Sequence, residues 1–136
     1  MPLLVMPEAT FDRTDAVSRR RETILVVDDE PPIRELIATI LGRAGYRVLL
    51  AANGCDAGSM FEQHFAEIDL VITDVWMPGV SGPHLLDQLL SIQPRLKCIL
   101  MSANDRPTLT RDVPFLRKPF SMFQLLGRVI EALRGV

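Results

Sequence analysis

From Thr23 onward the chain alternates two hydrophobic rhythms: short unbroken apolar runs, and stretches where apolar residues return every three or four positions. Ile24-Leu25-Val26-Val27 is a run of the first kind, the pattern of a strand covered on both faces. Asp28-Asp29-Glu30 ends it. Pro31-Pro32 follow, and proline is tolerated in a first helical turn because the N–H it lacks would have no partner there. Ile33, Leu36, Ile37, Ile40 and Leu41 then recur at helical spacing, and Gly45 supplies a stop. Residues 47–51 predict a second strand, 54–65 a weaker helix softened by Gly58, and 69–73 a third strand. Leu85, Leu86, Leu89 and Leu90 mark the next helix, with Pro83 near its start. Residues 98–101 form a fourth strand ending at Ser102, and 114–117 a fifth ending at Lys118-Pro119. Ser121 and Gln124 fit the S-x-x-Q capping box of a last helix, with Phe120 placed to pack on Leu125. Strands alternating with helices build a parallel sheet with helices on both faces. The expectation over 23–134 is one α/β domain, a three-layer sandwich around five strands.

One connection breaks the rhythm. The fifteen residues between Ser102 and Lys118 are mostly polar and carry Pro107 and Pro114. Residues 103–113 have room for one or two helical turns, so the helix between the fourth and fifth strands is expected to be short, distorted or missing.

Composition narrows the picture. A chain of 136 residues holds one ordinary core. Residues 1–22 lack sustained periodicity and read as a flexible tail whose four arginines are offset by Glu8, Asp12, Asp15 and Glu22. The net charge of −2 gives nucleic acid no electrostatic footing as a default partner. No run is long enough to span a membrane. Leu3-Leu4-Val5-Met6 is too short, and too poor in basic lead residues, for a signal peptide. Cys55 and Cys98 show neither metal spacing nor a disulfide framework, and Cys98, inside KCILM, reads as a small core residue. A cytoplasmic address is the default.

In an open parallel sheet, function gathers beyond the carboxyl ends of the strands. Those ends carry Asp28 and Asp29, Asp74, Ser102 and Lys118. Two carboxylates ~4 Å apart repel by about 4 kcal/mol at an effective dielectric near 20, so three need a cation or must take up protons. Lys118 supplies one charge. A hard divalent ion suits the rest: Mg²⁺ fits carboxylates from separate strands better than Ca²⁺, and zinc would want histidine or thiolate. A lysine, a hydroxyl and a metal around one carboxylate suit phosphoryl transfer, with Asp74 as nucleophile.

VVDDEP, ITDVWMPGVSG, ILMSA and FLRKPF, in that order and on strand ends, resemble the receiver domain of two-component response regulators. The likeness covers residues 22–134. It implies a flavodoxin-like doubly wound sheet with strand order 2-1-3-4-5. It implies Asp74 as phosphoacceptor from a sensor histidine kinase or phosphotransfer protein. Asp28 and Asp29 would be the acidic pair for Mg²⁺, Asp29 the more direct ligand, with the backbone carbonyl of Trp76 completing the set. Ser102 would bind a phosphoryl oxygen, Lys118 would pair with the phosphoryl group, and Ser102 with Phe115 would form the switch. Lys118-Pro119 would be cis. The shortened 103–117 segment sets aside the family's usual dimer and is similar to receivers attached to hybrid sensor kinases.

Simpler readings stand beside these. Phe115 in a short apolar strand also fits plain core packing, and the Trp76 indole could shield the phosphoryl group or lie exposed above it. His64 and His84 read as surface residues. A constitutive interaction module with this fold but no working phosphorylation is the competing function. An aspartate-nucleophile phosphatase would want a second acid just after Asp74, where Val75-Trp76 stands. Neither reading expects a nucleic-acid or membrane partner, and the downstream protein is unspecified.

Overall fold

A computed structural model describes residues 21–104, 106 and 112–135. The tail expected over 1–22 and the expected short helix over 103–113 fall largely outside these residues. The elements are β1 (Thr23–Val27), α1 (Pro31–Arg43), β2 (Arg47–Ala51), α2 (Gly54–His64) and β3 (Ile68–Asp74). They continue with α3 (Gly82–Ile92), β4 (Lys97–Ser102), β5 (Phe115–Arg117) and α4 (Met122–Arg134). Among the described residues no helix separates β4 from β5.

The strands form one parallel sheet in the order β2-β1-β3-β4-β5. Each apolar run divides by the two-residue pleat. Ile24, Val26, Leu70, Ile72, Ile99 and Met101 join Ile37 and Leu41 of α1 and Leu125 and Val129 of α4. Leu25, Val27, Val71 and Leu100 join Ala57 and Phe61 of α2 and Leu85 and Leu89 of α3. The two cores on opposite faces explain why the strands read as unbroken hydrophobics; each buried Leu or Ile stabilises by about 1.5–3 kcal/mol. Cys98 is a buried core residue.

The helix ends follow local chemistry. Both prolines sit in the first turn of α1, and Gly45, just past its end, adopts φ of 100°. Ser121 and Gln124 form the full capping box of α4, and Phe120 packs in the same core as Leu125. Asn53 and Ser81 cap α2 and α3 with their side chains.

Candidate functional site

The order in which strands are added reverses at β1, with β2 on one side and β3 on the other, and ligand crevices form at such switch points. Val27 of β1 lies opposite Thr73 of β3, so the next residues along, Asp28 and Asp74, leave the sheet side by side. Backbone bonds hold these ends in place. Asp28 N–H donates to the Ala51 carbonyl (3.2 Å), Val75 N–H to Met101 (2.9 Å) and Lys118 N–H to Ser102 (2.9 Å). The last bond holds Lys118 beside the end of β4, and the Lys118-Pro119 peptide that follows is cis, as the family resemblance implied.

Lys118 Nζ donates to Asp28 Oδ2 at 2.8 Å, and to Asp74 Oδ2 and Glu30 Oε1 at 3.4 Å each. Asp28 is fully buried and Asp74 nearly so, which explains the tight ammonium contact: isolated charges at such depth would be very costly. Asp28 Oδ1 also accepts the Glu30 N–H (3.0 Å), and the Asp28 carbonyl accepts Arg34 Nη1 (2.7 Å). Burial pushes the Asp74 carboxyl above the usual carboxylate range; Lys118 pulls against this, while the charges of Asp28 and Asp29 add to it. Burial pulls the Lys118 ammonium down, but its bond to Asp28 and the charges of Asp28 and Asp74 prevail and hold it above the ordinary lysine value.

One oxygen each from Asp28, Glu30 and Asp74 lies within 4.8 Å of the other two. This all-oxygen donor set fits a hard divalent cation that retains water. Asp29, expected as the closer ligand, is exposed and lies outside this group, whose third member is Glu30. Ser102 is buried at the end of β4, and its hydroxyl accepts the Asn104 N–H at 3.0 Å. Trp76, just past β3, is 61% exposed and does not fold into the core. Phe115 is half-buried against the α2–α3 core, and its carbonyl accepts Arg128 Nε at 3.2 Å. His64 pairs with Glu67, and His84 is exposed on α3.

Three contributors escaped the sequence reading. Glu30 and Arg34 reach the site through the direction of their side chains at the start of α1. Gly82, whose N–H donates to the Val75 carbonyl at 2.9 Å, lets α3 approach the end of β3 so closely that a Cβ would collide with the Asp74 carbonyl oxygen. Its only signal was a glycine shortly after the Asp74 loop.

An open parallel sheet with buried carboxylates and a lysine meeting at its switch point defines a receiver-type α/β sandwich. The chain belongs to the response regulator receiver domain family, which matches residues 24–130, and is a receiver domain of two-component signalling. It is 38% identical over 117 residues to the sensor kinase CckA of Brucella abortus, covering 82% of this chain and 12% of the kinase. It is 35% identical over 120 residues to the response regulator GtcR of Aneurinibacillus migulanus, covering 83% of this chain and 48% of GtcR. The chain thus spans half or less of these curated relatives. Among solved structures it resembles the response regulator TrrA from Thermotoga maritima, determined in complex with Mg²⁺-BeF. That likeness has a TM-score of 0.75 and 36% identity, over 82% of this chain and 99% of TrrA. Receivers of this family interact with histidine kinases or phosphotransfer proteins. No helix among the described residues is long and apolar enough to cross a membrane.

Proposed function

We propose that this receiver accepts a phosphoryl group on Asp74 from the phosphohistidine of a sensor kinase or phosphotransfer protein, and signals by protein contact. The observation that carries this reading is Lys118 Nζ poised 2.8 Å from Asp28 and 3.4 Å from Asp74 at the switch point. An Asp74 oxygen attacks phosphorus, the phosphorus–nitrogen bond breaks, and the electron pair leaves with the imidazole. Water later attacks the same phosphorus, which frees inorganic phosphate and restores the carboxylate. Lys118 neutralises the charge that arrives on the phosphoryl oxygens, and the Ser102 hydroxyl, whose oxygen accepts the Asn104 N–H, keeps its own proton to donate to one of them. Asp28 and Asp74, with Asp29 and the Trp76 carbonyl nearby in sequence, would supply the oxygens for Mg²⁺, which when bound offsets negative charge in the transfer. That the similar TrrA was determined in complex with Mg²⁺-BeF supports the choice of ion. The chemistry acts on the domain itself rather than on a separate turnover substrate.

Intact mass after incubation with acetyl phosphate tests the reading. The protein gains one phosphoryl group with Mg²⁺, gains none without it, and Asp74→Asn gains none in either condition. No gain under conditions that label another receiver would move the assignment to a constitutive interaction module.

A further inference from the structure

Lys118 touches three carboxylates, and their situations differ. Asp28 is fully buried with both oxygens engaged, one by the Glu30 N–H and one by Lys118. Asp74 is held nearly as deep. The Glu30 side chain is 61% exposed, and among the described residues its carboxylate meets Lys118 alone. Glu30 is also the N-cap residue of α1, yet its side chain makes no capping bond, so the local helix does not require that carboxylate. Its backbone is nevertheless pinned through the bond to Asp28. Asp29, one residue away, makes no ion pair with Lys118.

From this we infer that Glu30 is the positioning residue that takes over the Lys118 ammonium when Asp28 and Asp74 turn their oxygens to a divalent ion. The inference rests on the phosphoacceptor reading above and deepens it. Two cations cannot share the same carboxylate oxygen closely without repulsion, so Lys118 has to loosen its 2.8 Å contact with Asp28. A largely buried ammonium needs another negative partner as it does so. Of its three present partners, only Glu30 has a side chain free to follow it, since it is solvent-exposed on a fixed backbone. Lys118 then waits on Glu30, within reach of Asp74, until a phosphoryl group arrives.

A double-mutant cycle on the full chain tests this, with Mg²⁺ as the probe and the fluorescence of the single tryptophan, Trp76, as the signal. Glu30→Gln weakens Mg²⁺ binding about 3–10-fold when Lys118 is present, and less than about twofold in a Lys118→Met background. Equal weakening in both backgrounds would mean that Glu30 acts on the ion directly or through its charge alone, and would overturn the inference. No weakening in either would overturn it as well. A second readout leaves Lys118 intact: in the Mg²⁺-loaded wild type, the Nζ protons of Lys118 give cross-peaks to the Glu30 side chain. Cross-peaks to Asp28 alone would overturn the exchange. A wild type that fails to respond to Mg²⁺ by fluorescence and by calorimetry would overturn the functional reading itself, and this inference with it.

Discussion

Asp74 is a carboxylate kept where water is scarce, and that placement has a thermodynamic signature. Its carboxyl is harder to ionise in the fold than in the unfolded chain, chiefly because it is buried. The resulting penalty is absent below the unfolded-state value, grows as pH rises through the folded-state value, and is complete above it. Asp74→Asn, which cannot ionise, therefore melts at a higher temperature than wild type at pH 7. The gain shrinks as pH falls into the carboxylate range. Thermal melts of the two proteins from pH 7 down to pH 4 check both parts; an unchanged or lower melting temperature at pH 7 would contradict the argument. The site thus gives up some stability so that one carboxylate stands ready for chemistry. At this scale the strand-end residues Asp28, Asp74, Ser102 and Lys118 were legible because an apolar run that stops at a polar residue is visible in one dimension. Glu30 was not: whether an acid at the start of a helix points to solvent or back over a strand end depends on side-chain direction, which spacing does not encode.

Two glycines separate what an element needs from what its surroundings need. Gly82 begins α3 against the end of β3, and a methyl group there meets backbone rather than a movable side chain. Gly82→Ala is expected to lower stability by about 1–3 kcal/mol. Gly58 lies within α2 with nothing near the place a Cβ would take. Gly58→Ala removes a helix-weakening residue and is expected to raise stability by about 0.5–1 kcal/mol. Urea denaturation of both variants reads the opposite signs directly; no loss of stability in Gly82→Ala would show that α3 packing is not the limit at Gly82. The softness of α2 was legible in the sequence because helix propensity is local. The demand at Gly82 was not, since it arises only when the loop after β3 folds the first residue of α3 back against the strand end. The strands and the capped last helix were legible for the same reason as Gly58: burial on both faces and the capping box are written in neighbouring residues. The connection between β4 and β5, with its two prolines, is the one place where the pattern named no complete element.

Across the whole molecule the strands are unequal partners. β1 is paired on both sides and buried along its whole length, whereas β5 has three residues and pairs with β4 alone. Local opening follows such differences. Amide hydrogen exchange is expected to be slowest in β1 and β3, faster in β4, and fastest in β5; protection in β5 equal to that in β1 would contradict this order. The site straddles the gradient. Asp28 stands at the end of a strand paired on both sides, while Lys118 follows the three-residue β5, its backbone tied back through its N–H to the Ser102 carbonyl. The carboxylates and the lysine therefore work like the two jaws of a clamp, one fixed and one sprung. A ligand gripped between them is expected to shift the lysine side before the carboxylate side.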